Sequence, residues 1–155
     1  QFVTAIKSLT KGGHFVCKIF DMFTVPTIQI LAMAKKFFNE LFIFKPLASR
    51  PCNSERYLIC KNFLGADKGT LEVLQLIIQK WPENLYMVDL GLKVPKKLVS
   101  TIKNLNNELV GQQIEHLEET HKYASQTYSK TWIINQKNKQ QHSSIEYINH
   151  FRNHK

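Results

Sequence analysis

The stretch that most restricts how this chain can fold is residues 14–20, HFVCKIF, together with the forty residues C-terminal to it. Its alternation sets Phe15, Cys17 and Ile19 on one side and Val16 and Lys18 on the other, the period of a strand, with Lys18 near the C-terminal end. Within a few residues the period changes. Thr24 or Thr27 supplies an N-cap, Pro26 suits a first helical turn, and Ile28, Leu31, Ala32, Lys35 and Phe38 recur at helical spacing to about Glu40. A short apolar strand, LFIFK at 41–45, ends at Pro46, and the polar loop LASRPCNS leads into a second strand, ERYLICK at 55–61. Strand, crossover helix, strand and hairpin in that order predict an α/β sheet.

A helical crossover returns the chain in the same direction, so the 41–45 strand is expected parallel to the Lys18 strand, and the hairpin sets 55–61 antiparallel to both. The end of a parallel strand and the start of an antiparallel one lie at the same sheet edge. Lys18, Lys45, Arg50 and Glu55 are therefore expected on one rim, where open α/β sheets bind ligands. Upstream, Phe2, Ala5, Ile6 and Leu9 have helical spacing that Gly12-Gly13 stops. That glycine pair precedes a strand, the reverse of the strand-to-helix order a cofactor loop needs. Gln1 opens in the middle of this helical pattern, so a fragment is expected.

Past Asn62 the character changes to a helical extension. Residues 70–81 read as a helix ended by Pro82, a connector covers 83–94, and Pro95 begins a long helix with Leu98, Ile102, Leu105 and Leu109 that runs to about Tyr123. Its apolar seam shifts after Gly111. From about 127 the chain is polar around two small apolar clusters, which reads as short marginal helices with a frayed, partly disordered end. The division expected is thus 1–63 and 64–155. No apolar run approaches the roughly 20 residues of a membrane span, no membrane partner is expected, and no His/Cys spacing suggests a metal. Cys17, Cys52 and Cys60 form no CxxC pair and suit reduced thiols, Cys17 and Cys60 as core filler. The formal charge of +9 favours anionic partners such as nucleic acid. Residues 1–61 hold nine basic and three acidic side chains against twelve and nine over 62–155, so the excess sits with the rim.

The segments GGHFVCKIFDMFT and FKPLASRPCNSERYLIC combine a glycine pair before a strand lysine, a KP turn and an SRPxNSERY loop. That combination resembles the FtsJ-like (RrmJ-type) family of RNA ribose 2′-O-methyltransferases, most of all its cap-1-type members, which methylate the first transcribed nucleotide of capped mRNA. The resemblance covers residues 1–63. It implies the C-terminal half of a Rossmann-like sheet and a tetrad of lysine, aspartate, lysine and glutamate. Lys18 matches the second lysine and Glu55 the glutamate. The other two, with the glycine-rich turn that holds S-adenosylmethionine, fall upstream of Gln1. The resemblance further implies capped mRNA as substrate, a nuclear location and contact with the transcription or capping machinery, and an isolated fragment is expected to be inactive.

The chemistry accounts for these residue types. A ribose 2′-hydroxyl that attacks a methyl in line must be held at near-attack distance and have its proton taken or directed. A carboxylate beside Lys18 favours its charged form, so Glu55 is expected to orient the lysine rather than neutralise it. On the same loop and strand, Lys45, Ser49, Arg50, Asn53, Ser54 and Arg56 are expected to contact the RNA backbone or ribose, Arg50 first because its fork suits phosphate. His14 is expected to border the core, and Phe20, Phe23, Phe37, Phe38 and Phe42 to fill it. Two other readings stay open: a ribosomal or transfer RNA methyltransferase of the same fold, and a non-catalytic RNA-binding scaffold.

Overall fold

The computed structural model describes residues 1–46, 49–79, 81 and 89–152. The elements in order are α1 (Phe2–Ser8), β1 (Phe15–Ile19), α2 (Val25–Phe37), β2 (Phe38–Phe44), β3 (Arg56–Phe63), α3 (Lys68–Gln79), α4 (Lys96–Ala124) and α5 (Lys130–Arg152). They fall into two compact units, Gln1–Pro46 with Ser54–Gly111, and Leu47–Asn53 with Gln112–Lys155.

The first unit holds the sheet, a mixed α/β arrangement with strand order β1-β3-β2. β3 runs antiparallel to both neighbours, pairing Lys18 with Tyr57 on one side and Phe44 with Tyr57 on the other. β1 and β2 therefore share a direction, as the crossover requires, although they flank β3 and do not touch along a ladder. α2 starts where the sequence indicates: the Thr24 side chain accepts from the Thr27 N–H and Pro26 lies in the first turn. It ends three residues before Glu40. Phe38 is already extended, buried and ring-to-ring with Phe63 at 5.2 Å, so residues expected to finish the helix instead open β2.

Alternation sorts the sheet into two faces. Leu58 and Cys60 turn toward α2, where Leu31, Ala34 and Phe37 complete a buried core with Met22 and Ile102, whereas Cys17 on the same face of β1 is only half-buried and its thiol donates to Gln1 Oε1 at 3.2 Å. Burial pushes the Cys60 thiol up to about 12, leaving it inert filler as expected. The buried polar Gln29 is satisfied on every side: its amide donates to the Asp89 carboxylate at 2.6 Å and to the Leu92 carbonyl at 2.8 Å, and its oxygen accepts from the Leu90 N–H. This ties residues 89–92 to α2. The opposite face carries Val16, Lys18, Tyr57, Phe42 and Phe44. Phe37 and Phe38 are core as expected. Phe20, Phe23 and Phe42 are about half exposed, a correction to the expected filling: Phe42 points to the open face and Phe20 lies beyond the last paired residue of β1.

At the far end of the sheet the glycine pair closes the turn. The Gly12 N–H donates to the Phe63 carbonyl at 2.8 Å and the Phe63 N–H to the Gly13 carbonyl at 2.9 Å. Gly12 has φ +86°, which favours glycine. Helix α1 itself stops earlier, at Leu9. His14 borders this end, its Nδ1 accepting from the Asn62 N–H.

In the second unit, residues 49–53 are bound to the distal part of α4. The Gln113 amide donates to the Cys52 carbonyl at 3.0 Å, and Cys52 Sγ lies 3.3 Å from Thr120 Oγ1. Tyr128 stacks on Trp132 at 3.8 Å with Tyr123 beside both, which holds the turn between α4 and α5. In place of the expected short marginal helices, α5 is one helix of 23 residues, none of them buried. Of the expected connector over 83–94, residues 83–88 lie outside the described residues, and 89–94 form no helix or strand. No described helix is long and apolar enough to cross a membrane.

Candidate functional site

Lys18 leaves the open face at the end of β1, and Glu55 immediately precedes β3 on the adjacent strand. Their side chains meet, Lys18 Nζ lying 3.4 Å from Glu55 Oε1, with 48% and 20% of the side chains exposed. Lys45, just past β2, reaches the same point from the other side and donates to the Glu55 carbonyl at 3.4 Å. Three strand ends thus bring Lys18, Glu55 and Lys45 together, three of the four residues that strand direction predicts on one rim, whereas Arg50 belongs to the second unit. An ion pair this exposed adds little to stability, so its geometry is of interest for chemistry.

Tyr57 is a residue that the sequence reading misses. It lies two residues after Glu55, hence on the same face of the strand, and its hydroxyl donates to Glu55 Oε1 at 2.6 Å. The period-2 rule applied to the ERY triplet is the available signal. The Tyr57 hydrogen bond, followed by the bond and charge of Lys18 and the charge of Lys45, holds the Glu55 carboxyl below the usual glutamate range against a partial opposing desolvation. The same bond to Glu55 pushes the Tyr57 phenol up. Glu55 is therefore a fixed anion that accepts from two directions and aims the Lys18 ammonium, which also lies 5.3 Å from the Phe20 ring centre.

A depressed folded-state value means that the pairing is complete above the ordinary glutamate range and is lost as pH falls through the lowered midpoint. Replacing Tyr57 by Phe removes the largest lowering influence. The Glu55 midpoint, followed by the side-chain carboxyl resonance in an NMR titration, is expected to rise in Tyr57→Phe; an unchanged midpoint would show that Tyr57 does not set it.

Arg56 is a correction. Expected to contact RNA, it is only 1% exposed, because alternation along β3 puts it on the core face with Leu58 and Cys60. Its guanidinium donates to Asn106 Oδ1 at 3.2 Å, Asn106 in turn donates to the Met22 carbonyl at 2.9 Å, and Nε has no partner among the described residues. Ser54 stands next to Glu55 in the first unit. Ser49, Arg50 and Asn53 belong to the second, where the Asn53 N–H donates to the Arg50 carbonyl in a turn.

A cleft of about 450 Å³ opens beside Lys18, walled by Phe2, Phe15, Phe20 and Leu58 with Asp21 at its margin. Thr27, Ile30 and Leu31 of α2 complete its wall, so it lies on the α2 side of β1, and Glu55, Tyr57 and Lys45 do not line it. A glycine turn for a nucleotide cofactor is a different matter. The Gly12 N–H and Gly13 carbonyl are both spent on Phe63, and a Cβ on Gly13 would meet Leu9 Cδ2 at 2.8 Å, so the pair is closed by packing and does not cradle a ligand. The glycine pair therefore offers no cofactor turn. Among them, no group of three or more His, Cys, Asp and Glu side chains could hold a metal ion.

The family model described as FtsJ-like methyltransferase matches residues 1–63, the segment that contains Lys18, Lys45 and Glu55. The chain is 53% identical over 65 residues to the cap-specific mRNA (nucleoside-2′-O-)-methyltransferase 1 of Dictyostelium discoideum, covering 42% of this chain and 9% of that protein. The protein of the same name from Homo sapiens is 44% identical over 68 residues. That of Mus musculus is 30% identical over 135 residues, covering 82% of this chain and 16% of the relative. The chain thus spans between 8% and 16% of the length of these relatives.

Proposed function

We propose that this chain, whose residues 1–63 belong to the FtsJ-like methyltransferase family, supplies part of the catalytic centre of an enzyme that methylates the ribose 2′-hydroxyl of the first transcribed nucleotide of capped mRNA. The observation that carries the reading is the meeting of Lys18 and Glu55 at 3.4 Å inside the matched segment. On this reading the three-stranded sheet is the C-terminal half of a Rossmann-like fold, and residues 64–155 are a helical extension. The work is nuclear, beside the capping or transcription machinery.

Lys18 receives the 2′-hydroxyl. Glu55, held anionic by Tyr57, fixes the direction of the ammonium, so that the lysine aligns the hydroxyl lone pair and holds or directs its proton. Lys45 and Ser54 stand next to this point as contacts for the ribose or its phosphate. S-adenosylmethionine is the methyl donor this reading implies, and the turn that would hold it is not among the described residues.

The test is a chimera in which residues 1–63 replace the matching segment of the Dictyostelium discoideum enzyme. It is expected to methylate capped RNA within about tenfold of the parent rate and to leave uncapped RNA of the same sequence unmodified. A chimera that binds RNA as its parent does yet transfers no methyl group would sink the proposal. Equal modification of both RNAs would move the activity to ribosomal or transfer RNA.

A further inference from the structure

The second unit contains a larger cleft that the ribose site does not use. Its volume is about 1010 Å³, and it lies between residues 49–51 and one face of α5. Gln136, Ser143 and Tyr147 sit on that face at spacings of seven and four residues, with Lys139 one turn after Gln136 and Arg50 opposite. α5 carries Lys130, Lys137, Lys139 and Arg152 against the single carboxylate Glu146. Residues 49–53 are not a loose loop here, since Gln113 and Thr120 bind Cys52. The Ser49 hydroxyl, enclosed beside the cleft, has no hydrogen-bond partner among the described residues.

We infer that this cleft binds single-stranded RNA, with Arg50 and Lys139 on phosphates and Tyr147 stacked on a base. Three features select this ligand. A guanidinium fork and a lysine ammonium suit a phosphate backbone. A half-buried tyrosine ring, backed by Phe151 at 4.7 Å, is a stacking platform for an unpaired base and has no access to bases stacked within a duplex. Gln136 and Ser143 add neutral donors and acceptors suited to base edges or 2′-hydroxyls. Arg50 is five residues before Glu55 in the chain, so the inference rests on the RNA-substrate reading and extends it from the reacting nucleotide to the adjoining strand.

The experiment measures binding of a fluorescent oligouridylate to the 155-residue chain by anisotropy across a salt series. Lys139→Ala is expected to weaken binding several-fold and to reduce the slope of log K on log[salt] by about 0.7, the share of one single-strand phosphate contact. Tyr147→Ala is expected to weaken it about fivefold or more with the slope unchanged. Glu146→Gln is expected to tighten binding about twofold, a gain that misfolding cannot produce, and circular dichroism confirms that helix content is kept. Wild-type affinity and slope in both alanine variants would overturn the inference. So would displacement of the RNA by polyglutamate combined with a silent Tyr147→Ala, which would mark an acidic-protein surface. The chimera lacks α5, so its turnover reports on the methyltransferase reading alone. Failure there with α5-dependent RNA binding removes that reading and leaves the cleft, and the converse pair of results removes the cleft.

Discussion

Lys18→Ala, placed in the Dictyostelium chimera, is expected to lower methyl transfer to capped RNA by about 10²- to 10⁴-fold, the range for losing a positioned proton-handling group. Single-turnover assays at saturating RNA should show the loss in the chemical step, because one half-exposed lysine contributes little to the affinity of a strand held at many phosphates. Lys18→Arg separates two roles. A guanidinium keeps the charge and can still donate to a hydroxyl, but it does not give up its proton in a protein. Retained activity in Lys18→Arg would assign the lysine to alignment, and loss as deep as in Lys18→Ala would assign it to proton handling. Near-normal turnover of Lys18→Ala would end the catalytic assignment, leaving the pair with Glu55 as a surface ion pair.

The second large effect is on stability. Arg56 is a charge at 1% exposure whose burial pulls its value down while Asp21 opposes that shift, and Asn106 is the neutral acceptor that meets it. Asn106→Ala strips the acceptor from a guanidinium that already has an unmet Nε, and leaves the Met22 carbonyl without its donor. The expected cost is about 2–4 kcal/mol in urea unfolding followed by circular dichroism. Arg56→Met, which removes the buried charge and keeps most of the volume, is expected to cost less than Asn106→Ala. The double variant Arg56→Met/Asn106→Leu should recover part of the loss, since no buried polar group of this cluster then lacks a partner apart from the Met22 carbonyl. Equal destabilisation by all three would mean that packing volume, and not the charge, governs this junction.

These two sites differ in how far the sequence discloses them. Strand direction and alternation, both local rules, place Lys18, Lys45 and Glu55 on one rim, and the Lys18–Tyr57 and Phe44–Tyr57 register bears the directions out. Tyr57 is within reach of the same rule. Arg56 shows the limit: alternation already turns it away from Glu55, but the partner that makes burial tolerable is Asn106, 50 residues on, within a helix whose apolar spacing gives no hint of a polar contact. Gln29, held by residues 60 or more positions away, is hidden in the same way. The end of α2 is misplaced from sequence because Phe38 fits a helical stripe as well as it fits a strand face, and only pairing with Phe63 decides between them. The polar composition after residue 127 suggests frayed pieces, whereas α5 forms one helix with no fully buried residue, its Trp132 and Tyr147 half-buried and the aromatic turn before it holding its start.

The reciprocal bonds between Phe63 and the glycine pair make the sheet behave like a ruler with a fixed zero. Counted from that clasp, Lys18 is five residues out along β1 from Gly13, and Glu55 eight residues back along β3 from Phe63. Side chains alternate by residue, so adding or deleting one residue between Gly13 and Lys18 would send the lysine into the core and bring a neighbour to the rim. A change of length at 46–54 falls outside both counts and leaves the Lys18–Glu55 meeting unaltered, although it would disturb the bonds that hold Cys52 to Gln113 and Thr120. Within the counts, only substitutions are open to evolution, and the spacing of Lys18 and Glu55 is inherited as whole numbers.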